Sequence, residues 1–148
     1  MATNYGSSCT HDRQDGHNEQ YGHNNCSFVH SACVSNVCRC AATHAYDKTK
    51  GICVTECDVL GSEFVLYPGR NLRHDTVTLK GSDPVACKDA CLARTDFVCH
   101  SFDTFDRQDG SEGSCALSDH APASTKDSVM STFYLWDYYR RQCANTIG

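Results

Sequence analysis

The sequence predicts a small, disulfide-stapled α+β protein of two modules, residues 1–56 and 57–148. Three observations carry this. Twelve of the 148 residues are cysteine, an even count that suits complete pairing in an oxidising compartment. The cysteine spacing changes character between Cys53 and Cys57 and leaves six cysteines on each side, so each block can close its own bridges. The second block combines β-type alternation with a helix-start signature, while the first is polar and rich in His, Asn, Ser and Gly. With 40 % hydrophobic residues and a mean hydropathy of −0.48, neither module has much core of its own, a shortage that covalent staples offset.

Taken in chain order, the first block carries no helix pattern and is expected to hold short strands around Val34–Arg39 and Tyr46–Val54. Glu63–Tyr67 is a short apolar strand closed by the turn pair Pro68-Gly69. Asp75–Leu79 alternates with β-branched residues and reads as a second strand. Ser82-Asp83-Pro84 opens a helix: a capping side chain, an acid suited to the helix dipole, and a proline where no amide hydrogen is missed. That helix is expected over Val85–Arg94. Cys87 and Cys91, one turn apart, share its inward face with Leu92 and the nearby Val85. Phe97–Phe105 and Ser114–Ser118 read as strands separated by the polar loop Asp106–Gly113, and Thr132–Arg140 as the last strand. A helix laid on an antiparallel sheet is the economical arrangement.

Charge and hydropathy exclude some classes. A net charge of −5 disfavours nucleic acid. The longest aliphatic-aromatic stretch is about Phe64–Tyr67, far below a membrane span. The cysteine content places the chain outside the cell, which requires a secretory leader. Met1 leads into Ala-Thr-Asn-Tyr-Gly-Ser-Ser with neither a basic start nor an apolar run, so the leader is expected to have been removed.

The run Cys87-Lys-Asp-Ala-Cys91-Leu92, then Phe97-Val-Cys99-His-Ser-Phe102, then Cys115-Ala-Leu-Ser118, enclosed by Cys57 and Cys143, resembles a PAN/apple domain. The resemblance implies a twisted antiparallel sheet with one packed helix, and bridges Cys57–Cys143, Cys87–Cys115 and Cys91–Cys99. It also implies a non-enzymatic domain that binds proteins or carbohydrates through surfaces that differ between members. Cys33-Val-Ser-Asn-Val-Cys38-Arg-Cys40, followed by Tyr46, Gly51 and Cys53, resembles an EGF-like or EB-type module. That implies Cys9–Cys33, Cys26–Cys38 and Cys40–Cys53. The expected whole is an EGF-like module of short strands followed by a PAN/apple domain.

Several residue groups could carry binding. Cys53/Cys57 and Cys87/Cys91 have zinc-like spacing, but disulfides compete for the same sulfurs, and no cofactor is expected. His11, His17 and His23 recur in the polar first block, with His30 and His44 beyond them. They are either a surface metal or pH-sensitive site or a solvated loop. Asp103, Asp106, Asp109 and Glu112 lack the alternation of a calcium loop and read as a solvated run. Asp12-Arg-Gln-Asp-Gly16 recurs as Asp106-Arg-Gln-Asp-Gly110, which suits turns used twice.

Arg70, Arg73, His74, Arg140 and Arg141 would form a basic edge for an acidic glycan if the last strand lies beside the 70s loop. Otherwise they are scattered solubilising charge. Phe133, Tyr134, Leu135, Trp136, Tyr138 and Tyr139 cannot all face one side of a strand. One set fills the core, and the other is covered by the first module or serves as interface anchors, Tyr134, Trp136 and Tyr138 among them. Asn25-Cys26-Ser27 is an N-glycosylation sequon with an unfavourable middle residue. No nucleophile elbow, phosphate loop or zinc-protease motif occurs, so catalysis is not expected.

The expected function is extracellular binding, with partners that are proteins, glycans or further copies of the chain. Three versions follow: an adhesion or matrix/filament subunit, a soluble glycan-binding protein, or a secreted inhibitor of a protein surface. The three residues between Cys53 and Cys57 leave the modules little independent motion.

Overall fold

The computed structural model describes residues 5–10, 26–72, 76–106, 113–121 and 130–144, with the side chains of the last strand from residue 135 onward. The first block holds two antiparallel hairpins. β1 (Ser31–Val34) pairs with β2 (Val37–Cys40), Cys33 opposite Cys38. The short strands expected around Val34–Arg39 are therefore the two arms of a hairpin, with its turn between Val34 and Val37. Ser35 and Asn36 turn it with φ of 51° and 66°, the left-handed pair that a two-residue loop needs to match strand twist. β3 (Ala45–Asp47) pairs with β4 (Ile52–Val54). Their turn is built by the Asp47 carboxylate, which accepts from the amides of Thr49 (2.9 Å) and Lys50 (3.1 Å), and by Gly51 at φ 70°.

The second block forms a five-stranded antiparallel sheet in the order β5-β9-β7-β8-β6. Its strands are β5 (Leu60–Leu72), β6 (Val77–Lys80), β7 (Ser101–Phe105), β8 (Ser114–Ser118) and β9 (Met130–Cys143). Between β6 and β7 lies α1 (Pro84–Ala93). Asp83 is its N-cap, with the carboxylate accepting from the Val85 amide, and Pro84 occupies the first turn, as the sequence signature predicts.

Three expectations change. Pro68-Gly69 does not end β5. The strand passes through it with a register shift between Pro68 and Arg70, across which β9 runs from Asp137 to Thr132 and so carries the extra residues; Gly69 sits at the shift with φ 70°. Val85 is 66 % exposed. Two residues from Cys87 is about 200° around a helix, which puts Val85 on the opposite side. Residues 97–100 precede the strand that begins at Ser101, because Cys99 is tied to Cys91 on the helix.

Sheet alternation explains the rest. One face, with Phe64, Phe102, Leu117 and Tyr139, packs on α1 around Cys87 and Cys91. The Phe102 ring lies 4.5 Å from Tyr139 and 5.2 Å from Phe64. The other face, with Tyr67, Leu72 and Tyr138, packs on Ala32 and Val34 of the first hairpin. The molecule is thus layered: first block, sheet, helix. All twelve cysteines are paired: Cys9–Cys33, Cys26–Cys38, Cys40–Cys53, Cys57–Cys143, Cys87–Cys115 and Cys91–Cys99. These are the pairs the two resemblances imply.

Candidate functional site

The seam between the first block and the sheet is polar as well as apolar. The Tyr67 hydroxyl donates to Cys40 O (2.5 Å), and the Tyr46 amide donates to Gln142 Oε1 (2.7 Å). Arg140 donates from Nη1 to Ala42 O (3.0 Å) and from Nη2 to Thr55 O (3.2 Å). Arg140 is 3 % exposed, and burial lowers its pKa from the ordinary arginine value. It therefore contributes nothing to a basic outer edge: Tyr138, Arg140 and Gln142 of β9 face the first block, and that block covers them. Arg141, on the opposite face, is spent on Gly61 O (2.5 Å) and Cys99 O (2.9 Å). Arg70 is half-buried on β5.

Tyr138 is fully buried, and burial pushes its hydroxyl up to about 12, so it is a core residue rather than an interface anchor. Trp136 is half-buried, 4.8 Å from the Phe105 ring. His11, His17, His23, Asn25, Arg73, His74, Asp109 and Glu112, with the side chains of Phe133 and Tyr134, lie outside the described residues. Asp103 is buried and accepts from the Leu72 amide at 3.3 Å; it is not part of a solvated run. Among the described residues, the cluster with metal-like geometry is Cys9, Cys26 and Cys38. All three sulfurs are in disulfides and offer no thiolate.

What the sequence did not point to is a cleft of about 530 Å³ at one end of the seam. Its floor is β5 from Glu63 to Leu66. One lip is the first block, with Tyr5, Arg39, Tyr46 and Lys48, and the other is α1, through Lys88. Phe64 packs toward the helix core and Val65 toward the first block. Consecutive residues facing opposite sides both line the cleft, so it reaches both faces of β5, and Gln142 and Cys143 of β9 line it as well. The Tyr5 ring stacks on Tyr46 (3.8 Å, 5°) and carries the Arg39 guanidinium 5.1 Å from its centroid. Burial raises the Tyr5 pKa, and Arg39 opposes that rise. Lys48 pairs with Glu63 at 3.3 Å. Only the folded order of the elements brings Tyr5 beside Tyr46 and sets Arg39 and Lys88 on the two lips of one cleft, so no local motif could have announced the group.

A second cleft, about 670 Å³, opens around His100, His120, Glu56 and Asp119, with the exposed Val98 at its rim. No protein-family model matches the chain, and neither a curated protein nor a solved structure is found to be similar to it.

Proposed function

We propose that the chain is a non-enzymatic extracellular binding protein, an EGF-like module joined to a PAN/apple domain, that acts as an adhesion or matrix subunit through protein contacts. The observation that carries this reading is the seam cleft, where the edge of β5, unpaired on its outer side among the described residues, lies between the first block and α1. That shape suits another polypeptide. Six disulfides agree with an extracellular setting. No helix among the described residues is long and apolar enough to cross a membrane. The glycan-binding version is the weaker one, because Arg140 and Arg141 are committed to backbone carbonyls inside the fold.

The test is light scattering of the oxidised protein with negative-stain microscopy of the same sample, followed by pull-down from extracellular-matrix extract. Filaments, large oligomers or a captured matrix protein support the reading. A monomer that retains no protein, yet binds on a glycan array, replaces it with the lectin-like version.

A further inference from the structure

We infer that the seam cleft is a docking slot for an extended acidic segment of a partner protein, which adds as a sixth strand to the free edge of β5. The inference rests on the proposed protein-binding role and names the partner's chemistry.

The backbone argument comes first. β5 is the outermost strand of the sheet and pairs with β9 alone. No other strand among the described residues takes its outer side. Exposed edges of this kind are usually blunted, and β5 is blunted at both ends of the slot: register shifts fall between Leu60 and Phe64 and between Pro68 and Arg70. Between them Phe64–Pro68 keeps regular register with β9. Phe64–Leu66 of that regular part lines the cleft. A short strand can therefore pair there, and the bulges limit it to about five residues, which selects a docking segment over runaway edge-to-edge stacking.

Charge sets the chemistry of that segment. Within a chain of net charge −5, the described residues lining the cleft include Arg39, Lys48 and Lys88 against Glu63 as the one carboxylate among them. Glu63 is already paired with Lys48, so Arg39 and Lys88 are in surplus. Arg39 is held over Tyr5, itself fixed by its stack on Tyr46, so its guanidinium needs little ordering to bind. Arg39 stands on the first-block lip and Lys88 on the helix lip. Side chains of an added strand alternate between those lips. Two adjacent acidic residues would each meet one cation, while β-branched neighbours cover the Leu66 side chain, 38 % exposed at the floor.

The probe is a capped hexapeptide with a central Glu-Asp pair flanked by Val and Thr, titrated into the intact oxidised protein and followed by amide NMR. The expected result is shifts concentrated at Phe64–Leu66. Lys88→Glu should weaken binding about tenfold or more with the spectrum otherwise preserved, and Arg39→Gln should weaken it as well. Higher salt should do the same, as for any charge-steered contact. A Lys-Lys centre or N-methylation of alternate peptide amides should abolish the shifts.

Unchanged affinity in Lys88→Glu, undiminished binding of the N-methylated peptide, or shifts located elsewhere would overturn the slot. A heparin hexasaccharide that displaces the peptide from these amides would assign the cleft to a glycan. Concentration-dependent shifts at the same amides without peptide would assign it to a second copy. Each of those two outcomes also defeats the proposal. Failure here leaves the sizing and pull-down results standing, so the two readings fail separately.

Discussion

The Arg140 guanidinium spans the seam and satisfies two carbonyls of the first block, Ala42 O and Thr55 O. Removing it takes the donor from both in a part-buried setting, at up to about 1–3 kcal/mol each. Arg140→Ala is therefore expected to lower unfolding free energy by about 3 kcal/mol in urea titrations, and Arg140→Lys to recover only part, since an ammonium lacks the fork. A loss below about 1 kcal/mol would mean that water reaches both carbonyls and that the bridge is ornamental. His44 gives the seam a pH dependence. The residue is 8 % exposed, its ring stacks on His30 at 3.9 Å, and its Nδ1 shares a 2.8 Å hydrogen bond with the Thr43 hydroxyl. Burial first, then the His30 and Arg140 charges, lower its pKa from 6.5 to about 4. Between those values the unfolded chain holds more protons than the folded one, so stability is full above pH 6.5 and falls as pH drops toward 4. After discounting for solvent screening the loss is about 2 kcal/mol. Carboxylates titrate in the same window, so the check is a difference: His44→Leu should flatten the urea midpoint between pH 7 and 4 relative to the parent protein. Parallel curves would remove His44 as the cause. Neither role was legible in the sequence. Alternation along Thr132–Arg140 says that two faces exist, but what covers each face is decided by a hairpin a hundred residues away.

At the scale of elements, legibility followed the range of the forces involved. The helix start at Asp83-Pro84 and the strand Ser114–Ser118 depend on neighbours a few residues off, and both stand as expected. Pro68-Gly69 reads as a turn for good local reasons, yet β9 is long enough to pair on both sides of it, and the pair sits at a register shift inside a 13-residue strand, opposite the extra residues of β9. The register shift has its own anchor: the Gly69 amide donates to Asp137 Oδ1 at 3.1 Å. Gly69→Ala puts a Cβ on a residue at φ 70° and is expected to cost about 1–2 kcal/mol. The structure leaves space around that Cβ, so the cost is purely conformational. Gly69→Asn, a residue that tolerates the left-handed region, should therefore cost clearly less than Gly69→Ala in thermal melts. Equal losses for the two substitutions would point to a clash rather than to φ.

At the scale of the molecule, the cysteine division at Cys53 and Cys57 divides the chain covalently without dividing its core. The bridges stay within residues 9–53 and 57–143, but Ala32 and Val34 share one apolar cluster with Tyr67, Leu72 and Tyr138. Two modules that merely touch would melt separately and pivot at the linker. Here, parting them would expose a tyrosine and a leucine that are almost wholly buried, each worth roughly 1.5–3 kcal/mol in water, and would leave the Arg140 and Gln142 hydrogen bonds unmade. For modules this short of core, that is a large share of their stability. The oxidised protein is therefore expected to unfold in one calorimetric transition, with equal calorimetric and van't Hoff enthalpies, and to scatter X-rays as a single compact particle. Residues 57–148 alone should melt earlier and bind a hydrophobic dye at Tyr67 and Tyr138. Two resolved transitions in the whole chain, or an isolated 57–148 segment as stable as the whole, would show that the shared cluster is a contact between finished modules. The slot over β5 would then open and close with their relative motion, since one of its lips belongs to each.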